Sequence, residues 1–189
     1  MIVAGGRARR FGSEKALAQV EGQPMIAQVA KVLQPACEAL AVNARTDSGA
    51  AAWAASQGLA VLPDPPGAEG PLAGVIAGLQ WAEAAGAGLL ATAPCDTPWL
   101  PADLVLRLAG ALTPDAGCAV AAVGHHRHPL CALWRVEQKP VLRAALAGGA
   151  RHPPLHRLAA ELGAAVAQFD DARAFANINT AADLKASPA

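Results

Sequence analysis

Short apolar runs of strand length alternate along this chain with longer segments whose apolar residues recur at helical spacing. Such alternation is typical of an α/β fold, in which helices cover a mostly parallel sheet. The predicted strands are residues 1–3, 40–43, 60–62, 89–93, 119–123, 130–134 and 165–169. The predicted helices fall around residues 25–33, 72–79, 104–112, 141–146 and 155–162.

Polar residues stand where several of these strands end. Asn43 closes the second strand, Asp64 follows the third at the start of a Gly- and Pro-rich loop (63–71), and Asp96 follows the fourth. Parallel strands place their carboxyl ends at one edge of the sheet, where open α/β sheets bind ligands. We therefore expect these side chains to face a common crevice.

The segment after the first strand has the composition of a phosphate-binding loop. Gly5 and Gly6 allow backbone N–H groups to approach an anion, and Arg10 and Lys15 supply positive charge. Its spacing is neither that of a Walker A loop nor Gly-x-Gly-x-x-Gly, which excludes a P-loop NTPase and a Rossmann dehydrogenase. Arg7 and Arg9 are the weaker candidates, expected to be solvated.

A charged glycine loop and two carboxylates in one crevice predict a nucleotide bound with a divalent cation. Mg²⁺ needs only one or two protein carboxylates when substrate phosphates supply further oxygens, and Asp96 is the first choice. Structural alternatives exist: Asp96 as a helix cap and Asp64 as a turn residue before Pro65.

Composition limits the remaining choices. The 189 residues predict a single domain (1–189), and 15 basic against 15 acidic residues give no net charge that would attract nucleic acid or a membrane surface. No apolar run reaches the roughly 20 residues of a membrane span, and Met1 leads directly into a strand, so we expect a cytoplasmic protein. Four cysteines without Cys-x-x-Cys spacing predict reduced thiols and no structural metal.

The motifs, taken together, resemble the molybdenum cofactor guanylyltransferase family. The opening segment matches its Leu-Ala-Gly-Gly…Arg-Met-Gly…Asp-Lys signature, with Val3 for Leu, Phe11 for Met and a Glu before Lys15. The resemblance continues in order through nearly the whole chain, in Gly22-Gln-Pro24, Asn43, Asp64, Gly70-Pro-Leu-Ala-Gly74, Pro94-Cys-Asp-Thr-Pro98, His128-Pro-Leu and Asn177-Ile-Asn-Thr180. It implies a Rossmann-like three-layer sandwich of the nucleotidyltransferase type.

The resemblance also implies a reaction: GMP passes from GTP to molybdenum-loaded molybdopterin with Mg²⁺, and pyrophosphate leaves. In this reading Lys15 and Arg10 neutralise the reacting phosphates and Asp96 holds the metal. The nucleotide contacts Val3, Ala4, Gly5, Gly6, Lys15, Asn43, Asp64 and Asp96, whereas His128, Asn177 and Asn179 lie on the pterin side. Molybdoenzymes or cofactor-chaperone proteins are further implied partners.

Two other functions stay open at this stage. One is a related enzyme that uses CTP on the pterin or acts on a sugar or polyol phosphate; the other is a catalytically silent nucleotide-binding module. The doubled arginine and the 177–180 motif favour the guanylyltransferase, and retention of both Lys15 and Asp96 argues against the silent module. Asn177 and Asn179 have an equally good structural reading as turn residues.

Two features suggest further chemistry but are assigned other roles. Successive histidines at 125–128 cannot all point at one ion from a regular strand, so we expect a polar, substrate-facing loop with His128 its best candidate. Cys95 beside Asp96 suggests a nucleophile, but phosphoryl transfer of this kind needs no thiolate, and we assign Cys95 a structural role.

Overall fold

The computed structural model describes residues 1–5, 15–147, 153–179 and 183. Its strands are β1 (Ile2–Val3), β2 (Gln19–Val20), β3 (Gln23–Pro24), β4 (Ala41–Asn43), β5 (Ala60–Leu62), β6 (Leu89–Pro94), β7 (Cys118–Val123), β8 (His126–Arg135) and β9 (Ala165–Phe169). Its α-helices are α1 (Met25–Leu33), α2 (Gly49–Ser56), α3 (Pro71–Ala84), α4 (Leu104–Ala111), α5 (Lys139–Ala147) and α6 (Leu155–Glu161).

Seven of these strands form one sheet in the order β5-β4-β1-β6-β8-β7-β9. The pairs β5–β4, β4–β1, β1–β6 and β7–β9 are parallel, and β8 is antiparallel to both of its neighbours. The predicted α/β fold with a mostly parallel sheet is therefore confirmed. The four strands followed by candidate site residues, β1, β4, β5 and β6, all run in the same direction.

Alternate residues of the strands enter two different hydrophobic layers. On one face, Ile2 joins a core built with α1, α2 and α4; on the other, Met1 and Val3 join a core built with α3, α5 and α6. A strand buried on both faces reads as a continuous apolar run, which is why the strands were predictable. The sheet is thus the middle of three layers.

Helix α2 was not predicted from the sequence. Its residues, Gly-Ala-Ala-Ala-Trp-Ala-Ala-Ser, are nearly all alanine and small residues, so they have no apolar stripe of helical period. The available signal was the cap, since Ser48 Oγ accepts the N–H of Ala51 at 3.2 Å. High alanine propensity and this cap explain why the segment is helical.

A second unpredicted element is the antiparallel β2–β3 hairpin that follows Lys15. Its turn residues, Glu21 and Gly22, have φ values of 50° and 74°, as a two-residue turn between twisted strands requires. Each strand is only two residues long, too short to show alternation. The hairpin becomes important below because it packs beside the candidate site.

The histidine segment does not form the predicted loop. Gly124 turns with φ 56°, and His126–Arg135 continues as strand β8, with His128 opposite Ala121 beside an irregularity in the β7–β8 register. The prediction missed this because consecutive polar residues at the end of a strand do not alternate with apolar ones. In the described part of the chain, moreover, no helix has both the length and the apolarity to cross a bilayer.

Candidate active site

The end of β1 is the centre of the site. Ala4 N–H donates to the carbonyl of Asn43 at 2.8 Å on one side, and Cys95 N–H donates to the carbonyl of Val3 at 3.0 Å on the other. The backbone that enters the glycine loop thus lies between the strand that ends in Asn43 and the one that leads to Asp96. This is the predicted common edge of the sheet. Gly6 and Arg10, along with Arg7 and Arg9, lie outside the described residues.

On the β4–β5 side, Asn43 and Asp64 form an amide–carboxylate pair. Asn43 Nδ2 donates to Asp64 Oδ1 at 2.8 Å and to the carbonyl of Leu62 at 2.9 Å, which fixes the orientation of the buried amide. Gly5 faces this pair: a Cβ at Gly5 would lie 3.1 Å from Asn43 Oδ1 and 3.6 Å from Asp64 Oδ2. The first residues of the phosphate loop and these two polar side chains therefore share one surface.

The environment of Asp64 perturbs its ionisation. Partial burial raises the pKa of this carboxyl above its ordinary value, the hydrogen bond from Asn43 opposes that rise, and the negative charge of Glu69 adds to it. The carboxylate is therefore poised to gain from a hydrogen-bond donor or cation brought by a ligand. The turn interpretation of Asp64 does not account for its contact with Asn43.

On the β6 side, Lys15 and Asp96 form a lysine–aspartate pair. Lys15 Nζ lies 2.6 Å from Asp96 Oδ2 and donates a second hydrogen bond of 2.7 Å to Asn179 Oδ1. Both charged side chains are 16% exposed, so most of their surface is shielded from bulk water. Residues far apart in sequence thus converge on one ammonium group.

The second carboxylate oxygen of Asp96 marks a place for a cation. Asp96 Oδ1 is buried and has no hydrogen-bond partner among the described residues. A buried, unpartnered carboxylate oxygen is costly, and a bound ion is one way to satisfy it. The described residues include no group of three or more His, Cys, Asp or Glu that could hold a metal by themselves. Asp96 could therefore contribute one carboxylate ligand to a divalent cation whose other ligands come from outside the described residues.

A small apolar cluster supports the lysine–aspartate pair. Val20 and Met25, from the hairpin and the start of α1, pack with Ile178, and Trp99 lies against them. Trp99 Nε1 also donates to Glu21 Oε1 at 3.3 Å. We call Val20, Met25, Ile178 and Trp99 the support cluster. Sequence reasoning missed it because its members are distant in sequence and belong to short elements.

The support cluster positions the site through the backbone as well. Ile178 N–H donates to the carbonyl of Asp96 at 2.9 Å, and the next residue, Asn179, receives the Lys15 hydrogen bond. Asn179 N–H in turn donates to Asp183 Oδ2 at 2.7 Å, close to the capping interaction of a helix N-terminus. Asn179 thus takes part in a local backbone-to-side-chain hydrogen bond and also contacts Lys15.

The remaining pterin-side candidates lie near this C-terminal segment. His128 stacks on Phe175 with ring centroids 4.7 Å apart, and Asn177, two residues further on, is exposed. Burial, and secondarily the charge of His126, lower the pKa of His128, so its neutral form is favoured. The structure thus joins His128 to the 175–179 segment and Asn179 to Lys15.

Comparisons with known proteins identify the family of this chain. A profile of the MobA-like NTP transferase domain matches residues 1–168. A molybdenum cofactor guanylyltransferase of Cereibacter sphaeroides is 45% identical over 97% of this chain and 92% of its own length, and one of Rhodobacter capsulatus is 44% identical over 97% and 91%.

Solved structures share the fold. Molybdopterin-guanine dinucleotide biosynthesis protein A of Archaeoglobus fulgidus superimposes with a TM-score of 0.71, at 24% identity over 98% of this chain and 94% of its own. A nucleotidyl transferase of Methanothermobacter gives a TM-score of 0.75 at 19% identity, over 98% and 93%. The chain belongs to the MobA-like NTP transferase domain family and is a nucleotidyltransferase.

Proposed function

We propose that this protein transfers GMP from GTP to molybdenum-loaded molybdopterin, forming the guanine dinucleotide form of the cofactor and releasing pyrophosphate. The observation that carries the proposal is the contact of Lys15 Nζ with Asp96 Oδ2 at the edge of the sheet, beside the strand that enters the glycine loop. The similarity to named guanylyltransferases extends over almost the whole chain and supports the choice of substrates.

Transfer of GMP to the pterin phosphate requires the substrates to be positioned and their negative charge to be neutralised; it does not require a general base. The attacking group is the terminal phosphate of the pterin, whose second pKa of about 6 leaves it largely dianionic near neutrality. Two anions must be brought together, and charge grows on the α-phosphate and on the departing pyrophosphate. Lys15 is held by two hydrogen bonds, so its ammonium group is oriented before the nucleotide arrives. Arg10 is proposed as its helper.

Mg²⁺ is the proposed cofactor, and Asp96 is the residue that would hold it. The buried, unpartnered Oδ1 of Asp96 supports this assignment, since the other oxygen already accepts from Lys15. When bound, the ion would neutralise phosphate charge and favour departure of pyrophosphate. Lys15 holds the Asp96 carboxylate in one orientation by its hydrogen bond to Oδ2.

The two substrates are assigned to the two sides of Lys15. On the nucleotide side are the backbone from Val3 to Gly6 and the Asn43–Asp64 pair; on the pterin side are His128, Asn177 and Asn179. The hydrogen bond from Lys15 to Asn179 supports a cation shared by both substrates. Delivery of the product in the cytoplasm to molybdoenzymes or cofactor-chaperone proteins is part of the same proposal.

Pyrophosphate release tests the proposal when the protein is supplied with Mg²⁺, metal-loaded molybdopterin and, in turn, GTP, CTP, ATP or UTP. We expect release with GTP and little with the other three. Preference for CTP would instead support a cytidylyltransferase, and turnover with a sugar phosphate in place of the pterin would support an enzyme that acts on a sugar or polyol phosphate. Nucleotide binding without release from any of the four would indicate a silent binding module.

A further inference from the structure

Gly74 lies in the first turns of helix α3, a position where glycine needs an explanation. Glycine in a helix interior costs about 1 kcal/mol relative to alanine. Gly74 is not among the described glycines with positive φ, so its backbone conformation is one that any residue adopts. The reason for glycine at this position must therefore be the space that a side chain would occupy.

That space is already filled by the amide of Asn43. A Cβ at Gly74 would lie 2.4 Å from Asn43 Oδ1 and 3.0 Å from its Cγ, with Val3 Cγ1 at 3.4 Å. Contacts below 3.0 Å are essentially never tolerated, so Asn43 would have to move. Because Asn43 is buried in a strand that is paired with β1 and β5, the amide has little room to move.

Movement of Asn43 is expensive because both of its N–H groups are used. They donate to the carbonyl of Leu62 and to Asp64 Oδ1, and the residue is only 1% exposed in a strand paired on both edges. Rotating the amide away from Gly74 would break at least one of these hydrogen bonds. Asp64 would then lose the donor that orients its carboxylate beside Gly5.

We propose that Gly74 is a positioning residue for nucleotide binding: its missing side chain lets helix α3 approach Asn43 and hold the Asn43–Asp64 pair beside Gly5. This inference rests on the proposed function, in which that pair contacts GTP. Gly74 itself touches no substrate and acts through Asn43.

Gly78, one turn further along the same helix, provides a matched control. A Cβ there would lie 2.6 Å from Met1 Sδ and 2.8 Å from Leu90 Cδ2, in the hydrophobic core away from the polar pair. Gly74→Ala and Gly78→Ala therefore introduce the same methyl group, in the same helix, with a collision of similar severity. Only the first collision involves the Asn43 amide.

The test measures GTP binding by calorimetry and the melting temperature for Gly74→Ala, Gly78→Ala, Asn43→Ala and the Gly74→Ala/Asn43→Ala double variant. Gly74→Ala is expected to weaken GTP binding about tenfold or more, as loss of a hydrogen bond to a charged group does. Gly78→Ala is expected to lower the melting temperature and leave GTP affinity unchanged. In the Asn43→Ala background, Gly74→Ala should have no further effect, because the partner is already absent.

Unchanged GTP affinity with a higher melting temperature for Gly74→Ala would overturn the inference, because it would show that the helix simply gains from alanine. Equal weakening by Gly74→Ala and Gly78→Ala would overturn it too, since general loosening would then suffice. If Asn43→Ala binds GTP as the wild type does, the nucleotide side of the proposed function fails first. If Asn43→Ala binds GTP less tightly and Gly74→Ala binds it as the wild type does, the inference about Gly74 is wrong and the role of Asn43 in nucleotide binding stands.

Discussion

Replacing Lys15 by methionine separates the catalytic charge from the packing of the side chain. Methionine keeps an unbranched side chain of similar length but removes the ammonium group that donates to Asp96 and Asn179 at 2.6 and 2.7 Å. With the charged groups 16% exposed, their hydrogen bonds are partly screened, and we expect a loss of about 1.5 kcal/mol in the free energy of unfolding. In a domain of this size that lowers Tm by about 3–6 °C.

The expected effect on rate is much larger than the effect on stability. Removal of one oriented group that stabilises charge in a transition state typically costs about 10²–10³ in kcat. We therefore predict that Lys15→Met lowers kcat for GTP-dependent pyrophosphate release by at least 100-fold at a temperature where the variant is fully folded. Lys31→Met is the control, because Lys31 is an exposed residue of α1, and it should leave kcat unchanged. A wild-type kcat for Lys15→Met would refute the assignment of the reacting phosphates to this lysine.

Two further predictions concern the surroundings of the site. Ile178→Ala leaves a cavity in the support cluster, so we expect the free energy of unfolding, measured by denaturant titration, to fall by about 2–3 kcal/mol and kcat to fall with it. The control Ile76→Ala, equally buried in the core beside α3, should lower stability by a similar amount and leave kcat unchanged. Equal losses of kcat in the two variants would contradict a positioning role for Ile178. Because the pKa of Asp64 is raised in the folded protein, its ionised form opposes folding at neutral pH, and its contribution to stability should improve as pH falls through the raised pKa toward the ordinary value. Urea midpoints across mildly acidic pH should show this trend in the wild type and lose it in Asp64→Asn; an unchanged profile would show that the burial of Asp64 has no energetic consequence.

The sequence was sufficient to predict the elements whose pattern is dictated by burial. Strands such as β6 and β7 are buried on both faces and appear as continuous apolar runs. Helix α1 shows apolar residues at helical spacing before Pro35, and α3 shows them after Pro71. The common edge was predictable too, because Asn43 ends a strand, Asp64 and Asp96 follow strands, and parallel strands end together. The single-domain organisation and the roles of the individual site residues stay predictions.

What the sequence did not disclose depends on contacts between distant segments. Nothing near Ile178 indicates that its N–H holds the carbonyl of Asp96, or that Asn179 receives a hydrogen bond from Lys15, 164 residues away. The steric need for Gly74 was equally hidden, since it follows from the position of Asn43 in another element. The apolar run at 130–134 predicted the later part of β8, but the polar residues at its start do not alternate with apolar ones and so gave no strand signal.

Transfer of the α-phosphate of GTP to the pterin is the most direct test of the central claim. The wild type, Asp96→Asn and the control Asp103→Asn, an exposed residue at the start of α4, would be given α-labelled GTP, Mg²⁺ and metal-loaded molybdopterin. We predict that the label enters the pterin dinucleotide at equal rates with the wild type and Asp103→Asn, and at least 100-fold more slowly with Asp96→Asn. Wild-type transfer by Asp96→Asn, or label found only in free GMP, would contradict the account.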